Sequence, residues 1–309
     1  MALKNNKLIV CAYHTVGYRC IAELLRQGAE IALIFTHEDS PTEEIWFESV
    51  RELAKQHNIP YLTTDINAPE NVERVRAIAP DFILSFYYRN MIKPVVLEIP
   101  KQGALNLHGS YLPKYRGRVP VNWAVINGET ETGASLHYMV EKPDAGDIVM
   151  QEKVAIAFTD TAQDVFAKVT DAAVTVIARA WPLLREGIAE RIPMDLTAGS
   201  YFGGRKPADG LIDWSKSAVQ IYNLIRGVTH PYPGAFTHLD GKKVVIWQAW
   251  PVEGCAKPGF AVSQSPLLVG TGDGVLEIVA LQMEGQPEYS AADFIRNSTT
   301  SITSFQEQP

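Results

Sequence analysis

The chain has 309 residues and a formal net charge of −7, with 35 Asp and Glu against 28 Lys and Arg. The length exceeds what one compact α/β layer needs and suits two domains; the negative total weighs against a large nucleic-acid footprint, so nucleic acid is not the expected partner. No run of about 18 uncharged apolar residues offers a membrane span, and residues 1–7 lead into a strand rather than a signal-peptide core, which together predict a cytoplasmic protein without membrane contact.

The three cysteines, Cys11, Cys20 and Cys255, lack metal-ligand spacing and predict reduced, mostly buried thiols, with no disulfide and no metal site. In chain order, residues 7–13 are a β-branched apolar strand, residues 18–27 have helical period with Gly28 as a stop, and residues 31–36 are a second strand. The turn between the first strand and helix, His14-Thr15-Val16-Gly17, lacks the glycines of a G-x-G-x-x-G loop and argues against a nicotinamide or flavin dinucleotide. His14 reads as a loop residue. The next loop carries Glu38, Asp39, Glu43 and Glu44 and is a poor place for a polyanion. Helical segments over 46–57 and 71–78 flank a short strand over 58–62, and residues 81–86 form a near-continuous apolar strand of the kind buried in parallel sheets. Behind it, Tyr87-Tyr88-Arg89-Asn90-Met91-Ile92 suits either a planar ligand or packing between helix and sheet.

Ala104, Leu105 and Leu107 read as a short buried strand whose alternation puts Asn106 and His108 on one face, about 6.5 Å apart along the chain. Strand ends of this kind are where open α/β sheets hold ligands; the same pattern also fits a turn-capping Asn and a structural His. Gly109 and Pro113 keep the following chain irregular until a short helix starts at Pro120 and stops at Gly128. A strand over 132–140 then ends in the turn Glu141-Lys142-Pro143-Asp144-Ala145-Gly146-Asp147. A carboxylate brought from that turn to His108 would orient the imidazole and raise its pKa; Asp144 is the candidate and Asp147 the control.

A helix over 163–185 completes the first domain, and residues 191–199 connect it to the basic loop Tyr201-Phe202-Gly203-Gly204-Arg205-Lys206-Pro207, which fits either a nucleotide's phosphates or an exposed linker. After a helix over 217–228, two hairpin signals, one around Asp240-Gly241 and one around Thr271-Gly272-Asp273-Gly274, predict a compact antiparallel module. The Ser-, Thr- and Gln-rich tail reads as loosely ordered.

Asn106-x-His108, followed by Ser110-Tyr111-Leu112-Pro113 and, downstream, Asp144, resembles the folate-dependent formyltransferase family, in which Asn, His and Asp act on 10-formyltetrahydrofolate. More narrowly, Ser85-Phe86-Tyr87-Tyr88-Arg89, Pro113-Lys114-Tyr115-Arg116-Gly117-Arg118 and Asn127-Gly128-Glu129-Thr130-Glu131-Thr132-Gly133 are similar to the polymyxin-resistance formyltransferases, which act on UDP-4-amino-4-deoxy-L-arabinose for lipid A modification. The resemblance implies an α/β fold, a Rossmann-like and mostly parallel sheet with flanking helices, followed by a small OB-like β-barrel domain. The expected division is a catalytic domain over 1–190, a linker over 191–205, the barrel over 206–285 and a loosely ordered tail over 286–309. It implies Asn106, His108 and Asp144 as the catalytic set, and folate contacts at Asn90, Met91, Ile92, Arg118, Val140, Glu141, Lys142, Pro143 and Asp144. The co-substrate is then 10-formyltetrahydrofolate and the partner a small nucleotide sugar, with oligomerisation open. Such relatives continue into a dehydrogenase domain, so the chain is expected to be a stand-alone enzyme or one part of a bifunctional one.

In that chemistry Asn106 donates its amide N–H to the oxyanion, while His108 relays the amine's proton to the departing folate nitrogen. Two other functions compete. Methionyl-tRNA formyltransferase shares the core but typically carries a basic insertion where this chain has Glu38, Asp39, Glu43 and Glu44; a non-catalytic folate- or nucleotide-binding module would have no use for the Asn, His and Asp set.

Overall fold

A computed structural model describes residues 6–39, 45–297 and 302–306. The acidic residues Glu43 and Glu44 lie outside the described residues. In chain order the elements are β1 (Lys7–Ala12), α1 (His14–Arg26), β2 (Glu30–Phe35), α2 (Val50–Gln56), β3 (Tyr61–Leu62), α3 (Pro69–Ile78), β4 (Phe82–Phe86), α4 (Pro94–Leu97), β5 (Gly103–His108), β6 (Arg116–Gly117), α5 (Pro120–Ile126), β7 (Glu131–Tyr138), β8 (Ile148–Ala155) and α6 (Ala162–Glu186). There follow β9 (Tyr201–Phe202), α7 (Ala218–Val228), β10 (Ala235–Leu239), β11 (Lys242–Val252), β12 (Ala261–Gln264), β13 (Leu267–Gly270), β14 (Val275–Met283), β15 (Tyr289–Ser290) and α8 (Ala291–Asn297). No helix among the described residues is long and apolar enough to cross a membrane.

The described residues fall into two compact units. The first comprises Met1–Pro120, Thr132–Ala155 and Ala167–Phe202. Its seven-stranded sheet has the order β3-β2-β1-β4-β5-β7-β8, parallel from β3 to β5 and antiparallel where β7 joins β5. β1 and β4 are apolar on both faces because helices cover both sides of a parallel sheet, and every residue from Leu8 to Ala12 is fully buried. α1 places Val16, Cys20, Ile21 and Leu24 inward at helical spacing. Cys11 and Cys20 are buried as expected for thiols acting as small hydrophobes, and burial pushes both thiols up in pKa, whereas Cys255 is exposed.

The second unit comprises Val121–Glu131, Ile156–Phe166 and Gly203–Pro309. It is a six-stranded antiparallel sheet, order β10-β11-β14-β13-β12 with β15 on β14. Asp240 and Gly241 both have positive φ, 49° and 75°, as the tight hairpin between β10 and β11 requires. Sequence reading finds this hairpin and the next but misses β12, whose Ala261-Val262-Ser263-Gln264 carries little apolar alternation. In the segment from 286, expected to be loosely ordered, the described residues form β15 and α8. Residues 302–306 also bridge the two edge strands: Gln306 pairs with His238 of β10, while Ser304 pairs with Phe260 and Ala261 of β12 donates its N–H to the Thr303 carbonyl. Ile302 and Phe305 anchor them at 4% exposure each, two apolar residues in a polar run. This closes the sheet into the expected barrel.

Candidate active site

Asn106 and His108 sit on β5 two residues apart, on the strand where parallel pairing with β4 gives way to antiparallel pairing with β7. Register does most of the positioning: Asn106 lies opposite Ser85 on β4 and opposite His137 on β7, and His108 lies opposite Ser135. Asp144 comes from the loop after β7, which folds back so that the Tyr138 N–H meets the Asp147 carbonyl. Asp144 itself adopts φ 49°, a left-handed conformation that Asp tolerates better than most residues. Its Oδ1 then stands 3.7 Å from His108 Nδ1, 3.4 Å from His137 Nε2 and 3.4 Å from Asn106 Nδ2. Asp147, the control, is on the ladder side of the loop and takes no part in this cluster.

A second strap completes the cluster. β6 pairs with β9, and the backbone of this segment reaches both catalytic candidates: the Gly117 N–H of β6 donates to Asp144 Oδ2 at 2.9 Å, and the carbonyl of Tyr115, just before it, accepts from His108 Nε2 at 2.8 Å. Gly117 has φ 98°, and a Cβ there would collide with the Phe202 carbonyl on β9. Only glycine brings this amide to the carboxylate.

Because a carbonyl can only accept, His108 carries its proton on Nε2, and Nδ1 is the nitrogen left facing Asp144. Burial is the largest influence on His108, which is 6% exposed, and pushes its pKa below the usual imidazole value against the pull of Asp144 and the Tyr115 carbonyl. This reverses the expectation that Asp144 raises it: the desolvation of a buried ring outweighs a carboxylate 3.7 Å away. For Asp144, burial alone would push the carboxyl up, but the His108 and His137 rings and the Gly117 amide prevail and hold it well below the usual carboxylate range. Burial thus disfavours the cation at His108, while the neighbours of Asp144 favour its carboxylate.

Sequence reading passed over His137, although two buried polar residues, Ser135 and His137, alternating on an otherwise apolar strand were a legible signal. His137 Nδ1 donates to the Tyr138 carbonyl at 2.9 Å, and its Nε2 stands 3.4 Å from both Asp144 Oδ1 and Asn106 Nδ2. Asn106 Nδ2 thus donates to Asp144 Oδ1 at a loose 3.4 Å, with the His137 ring as its other neighbour at the same distance. An N–H offered to an oxyanion has to leave one of these weak contacts.

The other expected positions are more dispersed. Asn90 and Met91 are exposed, whereas Ile92 is 8% exposed and packs into the core. The Met91 carbonyl is already taken by Asn67 Nδ2 at 2.8 Å. Val140, Glu141 and Lys142 are exposed on the loop that carries Asp144, with Pro143 half-buried beside it, and Arg118 is exposed just beyond the strap. His14 opens α1 with φ 66° and stacks on Phe47 at 4.0 Å; His37 stacks on Tyr88 and accepts the Arg89 N–H at 3.0 Å. Arg205 lies over the Trp123 ring at 4.8 Å and donates to the Asp209 carbonyl, so it is engaged within the second unit.

The family model described as formyl transferase matches residues 15–181, more than half of the chain, and the model for the formyl transferase C-terminal domain matches residues 205–299. The chain belongs to the formyl transferase family. Among solved structures with a similar fold is the N-formyltransferase from Helicobacter canadensis in complex with folinic acid and dTDP-3-aminofucose, 17% identical, covering 92% of this chain and 100% of that one at a TM-score of 0.70. WlaRD, a sugar 3N-formyl transferase crystallised with dTDP and 5-N-formyl-THF, is 18% identical and covers 92% of this chain and 99% of its own, also at 0.70. HypX from Aquifex aeolicus, in complex with tetrahydrofolic acid, is 18% identical over 98% of this chain and 51% of its own at 0.63. At these identities the likeness establishes the fold, a formyltransferase α/β domain followed by an antiparallel barrel.

Proposed function

We propose that this formyltransferase transfers the formyl group of 10-formyltetrahydrofolate to the primary amine of a nucleotide-linked amino sugar, with UDP-4-amino-4-deoxy-L-arabinose as the leading acceptor. The observation that carries the reading is the Asp144 carboxylate standing 3.7 Å from His108 Nδ1 and 3.4 Å from Asn106 Nδ2 in a chain of this family. Support for a sugar acceptor comes from two of the solved structures named above, in which a folate compound accompanies dTDP or dTDP-3-aminofucose. The loop after β2 adds to it, since Glu38 and Asp39 are exposed carboxylates where a phosphate-rich tRNA would need cations.

The transfer follows from the side chains. The amine attacks the formyl carbon, and negative charge grows on the formyl oxygen while the nitrogen becomes cationic. Asn106 turns one N–H from its loose contacts to that oxygen, a contact made only as charge develops. His108 Nδ1 takes the amine's proton, and the imidazolium so formed lies between the Tyr115 carbonyl and the Asp144 carboxylate. The same proton then passes to the folate nitrogen as the carbon–nitrogen bond breaks, returning His108 to its neutral form. Folate would lie along Asn90, Met91, Arg118 and the 140–144 loop; the burial of Ile92 limits its part to supporting Met91 from beneath.

The test is tetrahydrofolate release from 10-formyltetrahydrofolate in the presence of UDP-4-amino-4-deoxy-L-arabinose, a dTDP-linked 3-amino sugar, or charged initiator methionyl-tRNA. Turnover with the UDP sugar alone is the expected result. Turnover with the dTDP sugar keeps the chemistry and changes the acceptor, and turnover with tRNA alone overturns the reading.

A further inference from the structure

The second unit holds a cavity of about 260 Å³ that is remote in sequence from Asn106, His108 and Asp144 and that no part of the transfer chemistry uses. Its walls are aromatic: Tyr222 on α7, and Trp247 and Trp250 on β11. These rings are held in place. Trp247 Nε1 donates to Gln282 Oε1 at 3.0 Å, the Tyr222 hydroxyl donates to the Phe158 carbonyl at 2.8 Å, and Tyr222 packs against Trp250 at 5.3 Å. At the rim, His230 stacks on Trp247 at 3.7 Å with its Nε2 3.0 Å from Glu288 Oε2. Half-exposed Phe158, at 52%, extends the apolar surface outward from Tyr222.

Arg226 also lines this cavity, and it is 5% exposed. Its Nε donates to Asn223 Oδ1 at 2.8 Å and its Nη1 to the Asp160 carbonyl at 2.8 Å and the Ala157 carbonyl at 3.4 Å. Nη2 makes no hydrogen bond, and no carboxylate pairs with the guanidinium, among the described residues. Burial is the main influence on this arginine and lowers its pKa, as an apolar cavity would. Nη2 keeps solvent contact, and the guanidinium lies over the Tyr222 ring at 5.5 Å. The cavity thus combines flat aromatic walls, a fixed N–H donor and, at the rim, a carboxylate acceptor.

We propose that this cavity is a second ligand site that binds a planar lactam heterocycle, a ring whose edge presents C=O next to N–H. The ring stacks against Trp247 and Trp250, its carbonyl accepts from Arg226 Nη2, and its N–H donates to Glu288. Both a pyrimidine base and a pterin carry this edge, and the volume holds one such ring system with little else. Nothing in the proposal depends on which acceptor the enzyme formylates.

Calorimetric titration of the full chain with uridine and, separately, with 6-methylpterin distinguishes the two sources. The expected result is saturable binding of one of them, lost in Thr159→Trp, which fills the mouth from an exposed position, and weakened about tenfold or more in Arg226→Met through the missing charged donor. Formyl transfer by Thr159→Trp is expected to match the unaltered enzyme. If Arg226→Met does not fold by circular dichroism, Thr159→Trp and Glu288→Gln, the latter weakening binding at the rim, carry the test. Failure of both probes to saturate at millimolar concentration overturns the proposal, and so does binding that Thr159→Trp leaves intact.

Discussion

The proton position on His108 sets the behaviour of the whole cluster. With Nε2–H held by the Tyr115 carbonyl, Nδ1 is the atom that gains and loses a proton, and it does so beside an ionised Asp144. Replacing His108 by Gln is expected to lower kcat by about 10²–10⁴, the usual range for a lost proton-transfer group, in single-turnover assays that isolate the chemical step. The same residue makes a stability prediction. Its pKa is lowered in the fold, so below the ordinary value of about 6.5 the unfolded chain binds a proton that the folded chain refuses, and stability falls with falling pH. Melting curves between pH 7 and pH 5 should therefore show a smaller decline for His108→Gln than for the unaltered chain. His137→Leu removes the ring that stands beside both the Asn106 amide and the Asp144 carboxylate; kcat is expected to drop about tenfold or more with KM for either substrate little changed, and an equal rise in KM would show that the ring serves binding instead. Asn106 and His108 were legible because strand alternation is a local rule. For His137 the alternation with Ser135 was a local hint only; its importance comes from lying across the ladder from Asn106, a register that the sequence does not spell out.

Among elements, the two-residue β6 contributes more than its length suggests. Sequence reading saw the Lys114-Tyr115-Arg116-Gly117-Arg118 run as an irregular loop, because two-residue strands have no periodicity to detect; the structure pairs it with β9, eighty-odd residues away, and turns its backbone on His108 and Asp144. Gly117→Ala would force a Cβ into the Phe202 carbonyl at positive φ and pull the amide off Asp144. Assays of this variant should find kcat reduced at least tenfold while the far-ultraviolet spectrum is retained. α7 offers an independent case. Ser217 caps it by accepting the Gln220 N–H, and Gln220 reaches back to the Ser217 N–H, the reciprocal arrangement of a capping box. Ser217→Ala is expected to cost about 1 kcal/mol, read as a fall in the urea midpoint with no effect on turnover. The long helix and the apolar strands were predicted to within a few residues because their patterns are strong; β8 was overlooked because its Ile148-Val149-Met150-Gln151-Glu152-Lys153 mixes both faces.

For the molecule as a whole, the expected linear division at 191–205 and the observed units differ in a way that matters. The barrel unit recruits 121–131 and 156–166 from inside the catalytic half of the sequence. Those segments are not ornaments: the Asn122 amide donates to the Gly227 carbonyl, the Phe158 carbonyl accepts from Tyr222, and the Asp160 carbonyl accepts from buried Arg226. A fragment holding only 203–309 leaves these groups without partners, and circular dichroism is expected to show it largely unfolded, whereas a cooperative thermal transition would show that the recruited segments are dispensable. No local pattern could reveal this, because hydrophobic period reports an element's own face and not which later element will cover it.

The closure of the barrel by residues 302–306 has a consequence for how the chain is made. β10 and β12 are synthesised long before the segment that covers them, and until it emerges each presents a row of unpaired backbone groups. A ribosome stalled after β14 would hold a nearly complete sheet with two open edges, the state most able to pair with a neighbouring nascent chain. Residues 302–306 decide whether the newborn barrel is sociable or self-contained.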